Sequence, residues 1–459
     1  MPTSVNSARI RPVSSPSPLL AGAAMAEITP PLEVGFLMSS VQGRWEPFRS
    51  VRTPLTARAL VLECANERVA LISLDLLGLH SKAVGGWARF KQAISRAAKT
   101  SVAANRIVIT CTHTHSAPES SAVTDLYRTK AFQDWVSQLV PRIGKAIESA
   151  ADGLKTISVR LATGELPGFS LQRRIPRNGR IVMSDSLQPI SSELMKRTPV
   201  DRRVRSLQFR GSDGANLATL VHAICHPVHE MCYPHVSADF PGELCSALKL
   251  SVEGMPMFFN GAAGDVNPPT VSGGPTSARR HGVALGEMVK ASVADAIEIT
   301  PFPFIFSSRT VKLPTRSQNG KTSRTTIEGR IAALRIGSLA LLFIPGEIFI
   351  ETAQQIEASS PFDETVIIGF AENSIGYVPT ERAFEEGGYE IGPGKWSFLQ
   401  SSAESIVKHE ATKLLDTLSR GQGRKRITHK VTKSGPAKLS LSRETTDVSS
   451  ALFKSREAR

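Results

Sequence analysis

The sequence predicts an α/β fold, with mixed β-sheets flanked by helices in a single large domain. Three observations carry that expectation. From about residue 20 to 419, short β-branched runs alternate with longer amphipathic stretches. No Pro/Gly/Ser-rich linker interrupts this span. The 459 residues are 41% hydrophobic and 21% charged, the balance of a globular protein able to bury a sizeable core. The domain reading is a flexible Ser/Pro-rich segment 1–19, one domain over 20–419, and a basic tail 420–459.

The individual elements follow from local pattern. Strands are expected at Ala57–Leu62, Val69–Leu74, Arg106–Thr110, Leu217–Ile224, Met257–Asn260 and Thr365–Gly369, all short apolar or β-branched runs. Ile331–Ile336 and Leu339–Ile344 flank Gly337-Ser338 and read as a hairpin. Helices are expected at Val84–Ala98, Lys130–Ala151, Gly242–Val252, Ser277–Ile299 and Ser401–Leu418. Within the second of these, Phe132, Val136, Leu139, Val140 and Ile143 fall on one helical face. No internal repeat is evident.

Composition excludes several classes. No run of roughly 18 apolar residues occurs, so a membrane-spanning helix is not expected. The stretch from Leu19 to Ala26 is short, Gly/Ala-rich and runs into Glu27, so a secretory signal is not expected and a cytoplasmic or peripheral location is. Five cysteines in so long a chain argue against a disulfide framework. The net charge is +14, and +8 of it lies in residues 420–459, with eleven Lys/Arg against three Asp/Glu. Such a segment buries too little apolar surface to offset its ordering entropy and reads as disordered. Its charge suits an anionic membrane surface. Nucleic acid ranks last as a partner, because the sequence lacks an aromatic-interleaved basic motif.

The chemistry collects at the histidines. Six of the ten fall in two stretches, each following a strand-like run. In the first, Thr112-His113-Thr114-His115-Ser116-Ala117-Pro118, an extended backbone would place His113 and His115 on one side, presenting two imidazoles to one metal. The second holds His222, His226, His229 and His235 together with Cys225 and Cys232. Two metal readings stay open there. Cys225, Cys232, His229 and His235 could close a structural zinc site, or His226 alone could join His113 in a catalytic one. Pro227 and the order His-Pro-Val-His-Glu disfavour a helical protease site.

Three further segments carry polar groups beyond apolar runs. Asn260-Gly261-Ala262-Ala263-Gly264-Asp265-Val266-Asn267 is a Gly-rich turn whose small residues allow close backbone approach, with Gly264, Asp265 and Asn267 as a candidate substrate loop. It lacks the ending of a phosphate-binding loop. Pro345-Gly346-Glu347 sets a carboxylate past a hydrophobic strand, and Gly376-Tyr377 precedes Tyr389 by twelve residues.

Taken in order, these segments resemble the catalytic domain of the neutral (non-lysosomal) ceramidase family over about 20–419. The resemblance rests on Glu27-Ile28-Thr29-Pro30, Thr112-His113-Thr114-His115-Ser116-Ala117-Pro118, Cys225-His226-Pro227 with Ser237-Ala238-Asp239, Pro345-Gly346-Glu347 and Gly376-Tyr377. It implies a zinc-dependent amide-bond hydrolase, in which metal-bound hydroxide attacks an N-acyl lipid or related amide. The implied zinc ligands are His113, His226, Glu347 and Tyr377. His115 would position or deprotonate water, Tyr389 would stabilise the oxyanion, and Arg173 would match the arginine of the family's Asn-Arg motif, with Gln172 in place of its asparagine. The metal site would lie at strand ends. Asn267 stands where the family carries a serine, which excludes covalent serine catalysis at that position. By the resemblance, the basic tail is expected to stand where full ceramidases carry an immunoglobulin-like C-terminal domain. A catalytically weakened lipid- or surface-binding member of the same fold is the alternative that these departures suggest.

Overall fold

The computed structural model describes residues 17–420 other than 66, 101 and 318, together with the short strand Ala437–Lys438. Expectations for residues 1–16 and for the rest of the tail lie outside the described residues. Twelve strands form one path: β1 (Leu19–Glu27), β2 (Thr56–Cys64), β3 (Glu67–Leu74), β4 (Ile107–Cys111), β5 (Lys155–Glu165), β6 (Arg203–Gly211), β7 (Asn216–Ala223), β8 (Met255–Asn260), β9 (Phe304–Arg316), β10 (Thr322–Ile336), β11 (Leu339–Pro345) and β12 (Glu364–Ala371). Their spatial order is β8-β7-β6-β5-β1-β2-β3-β4-β12-β11-β10-β9. Ile297–Ile299 and Ala437–Lys438 pair in addition with β5. The sheet is mixed. β3/β4, β7/β8 and β11/β12 are parallel, and the other pairs on the path are antiparallel.

This sheet folds back on itself, and side-chain alternation decides what each face meets. Leu60 and Leu62 of β2 join Leu207, Leu220, Phe259 and Leu334 in a core between the two halves. Their neighbours Ala59 and Val61 face outward, toward α1 (Trp87–Ala97) and α2 (Lys130–Asp152). On the other half, Val221 and Phe258 meet α3 (Asp239–Ser251) and α4 (Pro275–Ser292). Helix, sheet, sheet and helix therefore stack in four layers. Each fully buried Leu or Phe in them contributes about 1.5–3 kcal/mol of transfer free energy. α5 (Ile350–Ala358) and α6 (Ala403–Arg420) pack against the β9–β12 half.

The expected strands and the 331–344 hairpin are present, with Ile336 opposite Leu339. Two helices are shorter than expected: α1 spans only Trp87–Ala97 of the stretch 84–98, and the stretch 277–299 is cut short at its C-terminal end. The stretch 277–299 is helical only over Pro275–Ser292, then forms a single 3-10 turn and the strand Ile297–Ile299. There the alternation Ile-Glu-Ile wins, because Val159 and Leu161 of β5 offer a free pairing edge. Four long strands lie outside the expected set: β1, whose Gly/Ala-rich run gives little β-branched signal, and β5, β6 and β9, whose Arg, Lys and Ser at intervening positions mask their apolar face. All five cysteines are free. Among the described residues no helix is long and apolar enough to cross a membrane.

Candidate metal centre

The C-terminal ends of β4, β7, β8 and β11 gather at one edge of the sheet. Asn260, the last residue of β8, ties three of them together. Its buried amide donates to Thr112 O (3.2 Å) and Cys225 O (2.9 Å), and its carbonyl accepts from Cys225 N (3.3 Å). His113 follows β4 and His226 follows β7, so this single side chain sets the relative position of both. His113 is not extended. It adopts a left-handed conformation with φ 72°, so a turn, rather than strand alternation, brings His115 beside it. The two rings lie edge to face with centroids 5.0 Å apart, and Phe370 stacks on His113 at 4.1 Å.

Glu347 and Tyr377 come from a second construction. Pro345-Gly346-Glu347 and Ile375-Gly376-Tyr377 run side by side, and Glu347–Ile348 pairs in parallel with Tyr377–Val378. Both glycines have positive φ, 77° and 69°. A Cβ on Gly346 would lie 2.6 Å from Gly376 O, and one on Gly376 would lie 2.4 Å from Trp396 O. Only glycine permits this approach.

The polar atoms that meet here are unusual in kind. His113 Nδ1 lies 2.6 Å from Leu77 O, and His226 Nδ1 lies 2.5 Å from Ala263 O. A ring nitrogen facing a carbonyl oxygen must carry the proton, so each Nε2 presents a lone pair. Those two Nε2 atoms are 3.2 Å apart and lie 3.4 and 3.3 Å from Glu347 Oε2. Glu347 Oε2 is buried with no hydrogen-bond partner, as is His115 Nε2. Burial, reinforced by the Arg173 charge, lowers the His226 pKa to about 4. Burial and the two neighbouring imidazoles hold His115 well below its ordinary value. Acceptors thus converge in a buried space where Arg173 Nη1, 3.5 Å from His226 Nε2, is the donor at hand and none reaches Glu347 Oε2, an arrangement that costs several kcal/mol unless a cation occupies it. Among the described residues, His113, His115 and His226 also form the group of ligand-type side chains whose donor atoms lie within 4.8 Å of one another. The donor set of imidazole nitrogens and a carboxylate suits zinc.

Around this cluster lie the other residues singled out in the sequence. Arg173 is buried, with Nη2 donating to Tyr377 OH (3.0 Å), Nη1 to Asn267 Oδ1 (3.2 Å), and Nη1 lying 3.5 Å from His226 Nε2. Tyr389 packs edge to face on Tyr377 (6.0 Å) and stacks on Trp396 (5.5 Å), with its hydroxyl 2.6 Å from Ser40 Oγ. Burial raises its pKa to about 12, so the phenol keeps its proton. Gly264 and Asp265 have other partners. Gly264 N donates to Ile348 O (3.0 Å), and Asp265 accepts from Ile350 N and Gln172 Nε2, both 2.8 Å. They brace the backbone that follows Glu347.

The four residues of the alternative cysteine-containing site are engaged separately. His229 pairs with His281 (3.1 Å) and His235 with Glu230 (2.5 Å). Cys225 Sγ points to Phe169 O (3.5 Å), and Cys232 is exposed. His222 Nε2 meets Ile367 O at 2.9 Å. Asn260 and Glu390 escaped the sequence reading as site residues. An asparagine ending an apolar strand and a glutamate beside Tyr389 were the available signals.

No family model matches the chain, and no curated protein matches it. Solved structures do. A neutral ceramidase from Pseudomonas aeruginosa superposes with a TM-score of 0.72 at 17% identity, over 90% of this chain and 76% of that one. A ceramidase complexed with C2 superposes with a TM-score of 0.70 at 16% identity, over 90% and 77%. The fold of this chain is the fold of these ceramidase structures.

Proposed function

We propose that this protein is a zinc-dependent hydrolase of amide bonds whose substrate is an N-acylated lipid or a related acyl amide. The observation that carries the proposal is the convergence of His113 Nε2, His226 Nε2 and Glu347 Oε2, three acceptors of which Glu347 Oε2 has no hydrogen-bond partner, at strand ends of a ceramidase-like fold. His113, His226 and Glu347 would hold the ion, with Tyr377 as the fourth ligand. A zinc ion bound there supplies a Lewis acid and brings the pKa of water to about 7.

The chain's own groups do the remainder. His115 Nε2 is buried and unpartnered, and its depressed pKa keeps the ring neutral, so it would accept a hydrogen bond that positions water. Tyr389, holding its proton, donates to the carbonyl oxygen as charge develops on it, once Ser40 yields its hydrogen bond. Arg173, fixed between Asn267 and Tyr377, directs its guanidinium N–H groups at the same site. Asn267 acts by orienting Arg173 and forms no covalent bond with substrate. The basic tail offers attraction to an anionic lipid surface that presents such substrates.

The test is a panel of acyl amides and acyl esters incubated with zinc-replete protein. Amide cleavage that a chelator abolishes and added Zn2+ restores is the expected result. Zinc-replete protein that cleaves no amide of the panel would overturn the proposal.

A further inference from the structure

Arg173 and Arg174 are consecutive, and neighbouring residues of an extended chain point to opposite sides. Even so, both guanidinium groups reach one carboxylate. Arg173 Nε lies 2.8 Å from Glu390 Oε1, and Arg174 Nη1 lies 2.6 Å from Glu390 Oε2. All three side chains are buried, Glu390 completely. The glutamate is itself anchored, because Ser397 Oγ donates to its backbone carbonyl at 2.6 Å. It also shares the short turn Tyr389–Ile391 with Tyr389.

We propose that Glu390 is the positioning residue that holds Arg173 against the metal centre, an inference that rests on the zinc-hydrolase reading given above. Two effects follow from the geometry. Clamping Nε leaves Nη1 and Nη2 of Arg173 aimed at Asn267, Tyr377 and His226, so the direction of the guanidinium is set from behind. The carboxylate also neutralises Arg173, whose Nη1 is 3.5 Å from an imidazole nitrogen that would bind a cation. An uncompensated guanidinium at that distance would repel the ion in a site with little screening. Arg174, on the far side, shares the carboxylate and bonds Gly387 O (2.7 Å), which fixes the clamp from the opposite direction.

The test is a double-mutant cycle with Glu390→Gln and Arg173→Met, read in two ways: the Zn2+ dissociation constant of the chelator-stripped protein, and kcat and KM on a cleaved acyl amide. Glu390→Gln alone should weaken Zn2+ binding about tenfold. It should lower kcat about tenfold or more while KM stays within about threefold. In the Arg173→Met background the same change should have less than about a twofold effect, because the residue it acts through is gone. Equal losses in both backgrounds, or wild-type values for Glu390→Gln, would overturn the assignment. Should the glutamine variant fail to fold, Glu390→Asp, which keeps the charge and shortens the reach, runs the same cycle under the same criteria. The Zn2+ arm needs no turnover. A chain that binds zinc and cleaves nothing therefore defeats the hydrolase reading while the cycle still decides the role of Glu390.

Discussion

His226 and His229 lie three residues apart, both buried and both beside a second histidine, yet their surroundings differ in one decisive respect. His229 Nε2 bonds His281 Nδ1 at 3.1 Å, and Thr270 Oγ1 takes the other His229 nitrogen at 2.9 Å. His281 is stacked between Phe169 and Phe240, with centroids at 4.8 and 4.0 Å. In that cluster every His229 nitrogen has a partner. His226 instead commits its N–H to Ala263 O, and its lone pair faces the acceptors of His113 and Glu347 at 3.2 and 3.3 Å, with Arg173 Nη1 farther off at 3.5 Å. Histidine density therefore does not mark the site. The surplus of acceptors does.

The largest expected effect breaks the comparison outright. His113→Ala or His226→Ala should abolish stoichiometric zinc binding, measured by elemental analysis after gentle purification. His229→Ala should keep one zinc and lose only stability, about 1–3 kcal/mol for a buried hydrogen bond left half-made. Zinc lost equally in all three would mean that the two clusters are not distinct.

A smaller effect is expected one step removed from the ligands. Asn260→Ala removes the amide that ties Thr112 to Cys225. Zinc affinity should fall roughly 10–100-fold, as for other residues that orient ligands, with the fold retained by circular dichroism. Unchanged affinity would show that the backbone alone fixes the two histidines.

The smallest effect concerns acid stability of the metal-free protein. Burial lowers the pKa of His229 to about 4, below its ordinary 6.5. Between those values the unfolded state binds more protons, so the stability this group contributes is present above pH 6.5 and lost as pH falls toward 4. The loss attributable to His229 is at most about 3 kcal/mol. Denaturant midpoints at pH 6.5 and 4.5 should converge in His229→Gln relative to wild type. A variant with an unchanged pH dependence would remove His229 from that account.

Much of this was legible in the sequence because strand ends announce themselves. Apolar runs stop at Cys111, Ala223 and Pro345, and His113, His226 and Glu347 follow within three residues. The register that brings those ends together was not legible, since it depends on the parallel pairings β3/β4, β7/β8 and β11/β12 between distant segments. Side-chain direction was hidden as well. The left-handed turn at His113 follows from its packing, and the sharing of Glu390 by two adjacent arginines has no local signature. β5 and β6 were obscured for a simpler reason. β5 carries Arg160 and β6 carries Arg203, Arg205 and Arg210, whose partners come only with the fold, as Ala296 O does for Arg160 and Glu357 and Glu364 do for Arg205.

The central claim is that the acceptor-rich cluster of His113, His226 and Glu347 is the zinc site. X-ray absorption at the zinc edge tests it most directly, because nitrogen and oxygen ligands scatter at about 2.0–2.2 Å and thiolate sulfur at about 2.3 Å. The account predicts a shell of nitrogen and oxygen alone, with imidazole multiple scattering that disappears in His226→Ala. A sulfur shell, which would place the ion at Cys225 or Cys232, would contradict it.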